Sequence, residues 1–385
     1  MKKIKCGIIG MGYISMSHIE AVRRLGYVDI EAVADVNFEM AQAKAKSLHI
    51  PKCYKKEDEL ISDPNIEVIH NCTPNYLHRK INAKVLQAGK HIFSEKPLAK
   101  NSKETSELVS LLKDHPDQIA GVNFNYRMNP LVQDMKDRIM NGEIGNPRLI
   151  HGSYLQDWLL YDTDYSWRLD SEISGLSNTI ADIGSHWMDS VQVITGARIN
   201  AVCADLVTNV SERKKPTGHV EAFAQSSEAE YERKKINVED YGAVLFRMDN
   251  GTHGVFYVSQ VSAGRKCYLN FEINGEKASL QWNQENADQM WIGHRDKPNG
   301  IIIRNPNWMS AASRQYTYLA AGHPEGWNDA MTNNVKAFYQ FLSSGKKLSK
   351  DPAPFATFEE AHYIMLLVEA VLESHKTHGW VTLSP

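Results

Sequence analysis

Short apolar runs alternate with helical periodicity over the first third of the chain. The runs are Lys3 to Gly10, Ile30 to Asp35, Val68 to Cys72, His91 to Ser94 and Gln118 to Val122. Between them, apolar residues recur at helical spacing over Ser17 to Leu25, Glu39 to Leu48, Tyr76 to Ala88 and Ser102 to Lys113. Such strand-helix alternation predicts a parallel, doubly wound sheet. Ser62-Asp63-Pro64-Asn65 reads as a connecting turn.

Past residue 123 the pattern changes. A helix over Leu131 to Met140 is followed by alternating segments, Tyr241 to Met248, Gly254 to Val261, Tyr268 to Ile273 and Ser279 to Trp282. They are punctuated by the turns Asp249-Asn250-Gly251 and Asn274-Gly275. This predicts an open, largely antiparallel sheet. Ser211 to Glu239, rich in lysine and glutamate, reads as a solvated excursion. Two helices close the chain, Asn328 to Leu342 and one opened by the capping box Thr357-Phe358-Glu359-Glu360. The expected class is α/β in two domains, residues 1–123 and 124–385, which suits a length of 385 residues.

Composition narrows the partners. Net charge is −3, with no basic stripe beside a nucleic-acid motif, so a small molecule is the expected ligand rather than nucleic acid. No run approaches the roughly 20 apolar residues of a bilayer span, and the N-terminus enters a strand at once, so no membrane association and a cytoplasmic location are expected. The five cysteines are scattered without a Cys-x-x-Cys pair, which supports neither a disulfide framework nor a zinc knuckle.

The candidate chemistry begins at Gly10-Met11-Gly12-Tyr13-Ile14-Ser15, after the first strand and at the start of the first helix, the context a dinucleotide fingerprint requires. Gly10 permits the tight turn, Gly12 lets a pyrophosphate approach, and Ser15 replaces the third glycine. Asp35 ends the second strand, placed to hold a ribose diol and to repel a ribose phosphate, so NAD is favoured over NADP. Thr73-Pro74-Asn75 follows a strand and reads either as a helix N-cap or as a cofactor contact. Glu95-Lys96-Pro97 places an ammonium where a nicotinamide would lie.

Asp182 and His186 stand four apart in Ala181 to Asp189, read as the start of a helix, with Gly184 between them allowing close approach. The pair suits relay of a hydroxyl proton. A metal site and a purely structural histidine are the alternatives. No third ligand motif accompanies the pair, and no metal is expected. Trp167-Arg168, within the aromatic and acidic stretch Asp157 to Asp170, offers a ring and a cation for a sugar or a domain interface. His323 lies in the turn-rich loop Ala321 to Trp327 and reads as a surface residue able to reach a cleft.

Taken in order, Gly10-x-Gly12, Thr73-Pro74-Asn75 with His78, Glu95-Lys96-Pro97, Asn125-Tyr126-Arg127, Trp167-Arg168, Asp182-x-Gly184-x-His186 and Gly322-His323-Pro324-Glu325-Gly326 resemble the glucose-fructose oxidoreductase/inositol dehydrogenase/rhizopine-catabolism family over essentially the whole chain. The resemblance implies an N-terminal Rossmann domain and a second α/β domain whose open sheet mediates a homodimer or homotetramer. It implies Lys96, Asp182 and His186 as the catalytic group. Cofactor contacts are implied for Gly10, Gly12, Tyr13, Ile14, Asp35, Thr73, Pro74, Asn75, His78, Glu95, Lys96, Asn125, Trp167 and Arg168. Substrate contacts are implied for Lys96, Arg127, Trp158, Asp182, His186 and His323, with Tyr161 and Trp167 completing a sugar wall. The expected reaction is NAD-dependent oxidation of a secondary hydroxyl on a sugar, anhydrosugar, glycoside or cyclitol. A redox-type glycoside hydrolase and a non-catalytic sensor are the alternatives.

Overall fold

The computed structural model describes residues 3–217 and 231–383. By internal contacts the chain divides into two compact units, Met1–Phe124 with Met331–Met365, and Asn125–Ala330 with Leu366–Pro385. Residues 331–365, which the sequence reading placed wholly in the second domain, return to the first.

In the first unit, β1 (Ile4–Ile9), β2 (Val28–Ala34), β3 (Lys52–Tyr54), β4 (Val68–Asn71), β5 (His91–Ser94) and β6 (Ala120–Val122) pair in parallel, in the order β6-β5-β4-β1-β2-β3. The returning segment adds Ala356–Thr357 antiparallel to β6. Helices Tyr13–Leu25, Phe38–Ser47, Glu57–Ser62, Asn75–Gln87 and Ser102–Lys113 connect the strands. Strand order reverses between β1 and β4, and the crevice above such a switch point is where ligands bind in doubly wound sheets. The sequence pattern missed β3 and Glu57–Ser62, each shorter than the window over which a period can be read. The first helix begins at Tyr13 rather than Ser17, because Gly12 already stands at its N-cap.

The second unit opens with helix Pro130–Met140 and then β7 (Pro147–Leu155). A π-helical turn Ile180–Gly184 leads into helix Ser185–Thr195. There follow β8 (Ile199–Val207), β9 (Glu212–Pro216), β10 (Tyr231–Lys235), β11 (Tyr241–Met248), β12 (His253–Ser259), β13 (Tyr268–Gly275), β14 (Ser279–Asn283), β15 (Gln289–Gly293) and β16 (Gly300–Ile303). Apart from the β9–β10 hairpin, these form one sheet ordered β16-β15-β14-β13-β7-β12-β11-β8, with Val381–Thr382 on the β8 edge. Only β7 and β12 run parallel. On β12, Phe256 and Val258 are buried while Val255 and Tyr257 point out, the alternation of a sheet covered on one face. The covered face meets helix Ser185–Thr195 through Trp187, whose ring stacks on Phe256 at 4.5 Å and whose indole N–H donates to the Asn270 carbonyl at 2.9 Å. The outer face exposes Leu149, Leu245, Val255, Tyr257, Ile301 and Ile303.

The stretch Ser211 to Glu239 departs from the solvated excursion expected of it. Its described ends pair as β9 and β10, and both Arg213 and Glu239 are buried. Residues 218–230 of that stretch lie outside the described residues. Among the described residues, no helix is long and apolar enough to cross a membrane.

Candidate active site

The glycine turn follows from sterics. Gly10 adopts φ +91°, and a Cβ there would lie 2.8 Å from the Cys72 carbonyl group, so only glycine fits. A Cβ on Gly12 would meet nothing within 4 Å, leaving open space at the start of helix Tyr13–Leu25. That helix has no side-chain cap and no acidic residue in its first turn, so its free amides suit an anion. Tyr13 is 69% exposed, and Ile14 half-buried beside it. Asp35 accepts from Met11 N at 2.7 Å and Asn37 N at 2.8 Å, which fixes its carboxylate against the turn. These residues fit a dinucleotide. Lys44, unnoticed in the sequence, donates to the Met11 carbonyl at 2.9 Å and brings a cation to the same corner.

The Thr73 segment differs from the N-cap reading. Thr73 Oγ1 donates to Asn71 Oδ1 at 2.7 Å, and helix Asn75–Gln87 has Pro74 at its N-cap with no side-chain bond. His78, expected to touch the cofactor, is buried, with Nδ1 2.7 Å from the Pro97 carbonyl and Nε2 2.7 Å from the Thr73 carbonyl. It bolts the two loops together. Burial drives the imidazole toward its neutral form, while two carbonyl acceptors favour a hydrogen on both nitrogens.

Glu95 is likewise turned inward. Oε1 accepts from His18 Nε2 at 2.9 Å and from Asn123 Nδ2 at 2.6 Å, and Oε2 from Lys96 N at 3.2 Å. Its oxygens are thus engaged by the protein, and through Oε2 it supports the Lys96 backbone. Burial works to raise Glu95, but His18, Asn123 and the Lys96 charge outweigh it and bring it down to about 2. The seam continues from His18 Nδ1 to His70 Nδ1 at 2.8 Å, and from His70 Nε2 to Tyr339 Oη at 2.8 Å. Donation from Tyr339 to His70, from His70 to His18 and from His18 to Glu95 gives every atom a role. Burial, with His18 alongside, keeps His70 well below the usual imidazole value. The only sequence signal for this seam is a polar residue in each of two apolar stripes, His18 on the first helix and His70 in β4.

In the second unit Asp182 sits on the π-helical turn and His186 on the helix after it, so the α-helical spacing assumed for them is not the local geometry. A Cβ on Gly184 would make only ordinary contacts, 3.6 Å or more from Ile180, so close approach does not explain that glycine. Glu239 closes the turn, accepting from Ser177 Oγ at 2.6 Å, Asn178 N at 3.0 Å and Ile180 N at 2.9 Å. Asp182 receives Gln260 Nε2 at 2.9 Å on Oδ2 and faces Arg168 Nε at 3.4 Å from Oδ1. Gln260 is itself oriented by Asn178 Nδ2 at 2.7 Å and Thr179 Oγ1 at 3.0 Å. Arg168 lies 4.6 Å from the Trp167 ring centre and 5.8 Å from that of Trp158. His186 is buried with its ring edge-on to Tyr126 at 4.8 Å.

Other expected contacts fall elsewhere. Arg127 is buried, and its guanidinium forms a two-point pair with Asp189, Nε at 3.0 Å from Oδ2 and Nη2 against Oδ1. It braces the helix carrying His186. Asn125 is buried too, and among the described residues its side-chain N–H group meets no partner. Tyr161 is exposed, and so is His323, whose carbonyl accepts from Arg304 at 2.5 Å. The structural member of that last motif is Glu325, which accepts from Thr317 Oγ1 and the amides of Tyr318 and Leu319. Among the described residues, no group of three or more His, Cys, Asp or Glu could hold a metal.

Residues 4–124 match the oxidoreductase family with the NAD-binding Rossmann fold, and residues 132–281 match the GFO/IDH/MocA C-terminal domain. The chain belongs to the GFO/IDH/MocA oxidoreductase family. Levoglucosan dehydrogenase of Pseudarthrobacter phenanthrenivorans is 27% identical, over 99% of this chain and 98% of the relative. Myo-inositol 2-dehydrogenase of Thermotoga maritima is 28% identical over 57% of this chain and 63% of its own length. A solved levoglucosan dehydrogenase, in complex with NADH and L-sorbose, superimposes with a TM-score of 0.88 at 26% identity and full coverage of both chains. As a GFO/IDH/MocA member, this chain is an NAD(P)-dependent oxidoreductase whose relatives act on sugars, anhydrosugars and inositol.

Proposed function

We propose that this chain oxidises a secondary hydroxyl of a sugar, anhydrosugar, glycoside or cyclitol, with NAD preferred over NADP. The observation that carries the reading is the group on the second unit, where Asp182 is bracketed by Arg168 and Gln260 and two tryptophans flank the arginine. Indole faces suit the C–H surface of a ring polyol, and a fixed carboxylate suits its hydroxyls.

NAD, when bound, supplies the hydride acceptor. His186 takes the hydroxyl proton, and Asp182 hydrogen-bonds the substrate or sets the charge of that histidine. Lys96 stabilises the developing oxyanion, with Glu95 held ionised behind its amide. The preference for NAD rests on the Asp35 carboxylate at the end of β2. Association of copies through the second sheet rests on its exposed apolar outer face.

The deciding experiment incubates the protein with NAD or NADP and a panel of cyclitols, hexoses, anhydrosugars and glycosides. NADH is expected to rise in step with oxidised product, and faster than NADPH. Free sugar released from a glycoside without lasting NADH would make the chain a redox-type hydrolase. Equal use of both cofactors would remove the role of Asp35.

A further inference from the structure

The tryptophan-bearing segment beside Asp182 is held by a buried cation from a distant part of the chain. Arg213, on β9, is 1% exposed. Its Nη1 donates to the Tyr161 carbonyl at 2.8 Å and the Asp164 carbonyl at 3.0 Å, and its Nη2 to the Leu159 carbonyl at 2.8 Å. Three carbonyls within six residues thus converge on one guanidinium. Asp240 stands 3.9 Å away and balances part of its charge.

The same hairpin grips the segment at two further points. Lys214 N donates to the Asp162 carbonyl at 2.8 Å, and Lys234 pairs with Asp170. Leu159 and Leu169 from the segment share a small core with Ile236 and Val238, against which Trp158 packs. A loop with so many backbone acceptors would otherwise turn them to water and move. Burying a guanidinium is unfavourable, the more so here because Nε meets no partner among the described residues, so a cation whose two Nη groups are both turned to loop carbonyls marks a segment whose position matters.

We propose that Arg213 is a positioning residue for substrate recognition, fixing residues 157–170 so that Trp158, Trp167 and Arg168 are preset against Asp182. It touches neither substrate nor cofactor and acts through those three side chains. A preset wall loses little freedom when a sugar ring docks on it, so the device acts on substrate affinity more than on the chemical step. The proposal rests on the reading of the Asp182 face as a polyol site.

The test compares Arg213→Met and Arg213→Lys with wild type. In the methionine variant KM for the best polyol is expected to rise about tenfold, with kcat within about threefold and NADH affinity unchanged. The lysine variant, a single donor centre in place of a fork, is expected to fall between the two. Hydrogen exchange of the amides in 157–170 is expected to quicken in the same order, with protection of the large sheet unaltered. Arg233→Ala, exposed on β10 and paired with Glu212 across the hairpin, serves as the control and is expected to leave KM unchanged.

Unaltered KM and unaltered exchange in a folded Arg213→Met protein would overturn the proposal. If that variant does not fold, unaltered KM and exchange in Arg213→Lys overturn it equally. Exchange also separates this inference from the functional reading. Should wild type oxidise no polyol, the oxidoreductase reading of that face fails, while faster exchange in the variants still establishes Arg213 as the clamp of the segment.

Discussion

Two regions carry the candidate chemistry, and they hold their charges differently. Beneath Lys96, Glu95 joins a buried seam of side chains, His18, His70 and Tyr339, in which each polar atom meets another at 2.8 to 2.9 Å. Beside Asp182, the carboxylate is only partly buried, and its cation is steadied by indole faces at 4.6 and 5.8 Å. Directed hydrogen bonds in a dry interior set a charge state with little tolerance for change. Stacking sets a position while leaving the surface able to meet different rings. The contrast teaches that electrostatic preset and shape preset are built from different materials.

The largest effect should come from removing the charge that the seam supports. Lys96→Met is expected to lower kcat about a hundredfold or more while NADH still binds, as measured by cofactor fluorescence and single-turnover kinetics. Turnover close to wild type would break the comparison at its first term. Next, His186→Asn should cost about a hundredfold in kcat and flatten the acidic limb of the rate profile, since the hydroxyl proton loses its acceptor. An unchanged limb would assign that limb to another group.

On the aromatic side the expected signature is different. Trp158→Ala should raise KM by up to about tenfold for ring substrates, with kcat nearly constant. A fall in kcat with KM unchanged would show the indole acting in the chemical step, and the two regions would no longer divide as described.

The smallest effect concerns the stability of the seam. His70 is held below the ordinary imidazole value of 6.5, so on acidification the unfolded chain takes up a proton that the folded protein refuses. The stabilisation is complete above about pH 6.5 and is lost as pH falls below it, by at most about 1.4 kcal/mol per pH unit. Glu95 adds a second loss lower down, from its ordinary 4.5 toward about 2, because its ionised form is the one the fold favours. Denaturant melts of wild type and His70→Gln between pH 7 and 5 should show a shallower slope in the variant. Equal slopes would mean that the seam does not withhold protons.

What the sequence made legible was local. The alternation of runs and helices named the parallel sheet and most of its strands, and the glycine turn and the Thr357 capping box read correctly because each depends on neighbours in the chain. The capping box closes as expected, with Thr357 N donating to Glu360 at 3.0 Å and Glu360 N to Thr357 Oγ1 at 3.2 Å. What it hid was long-range. The inward partners of Glu95 were hidden because His18 and Asn123 lie 77 and 28 residues away in the chain. Arg213 lay in a run of charges that looked like a wetted surface, and nothing local says that one cation there faces inward. The π-helical turn at Asp182 was invisible because an added residue shifts the helical period only over a single turn.

The first unit is discontinuous, and that bears on the order in which it can be completed during synthesis. Its β6 edge is paired by Ala356–Thr357, and the rings of Phe338 and Phe355 approach to 3.0 Å of the point where Gly121 would carry a side chain. Tyr339, the end of the seam, comes from the same returning stretch. A nascent chain that has emerged only through Phe124 therefore has an unpaired strand edge, an uncovered aromatic cleft and a buried-type histidine without its hydroxyl donor. The stretch through Phe124 is made before residues 331–365 and must wait for them to finish folding.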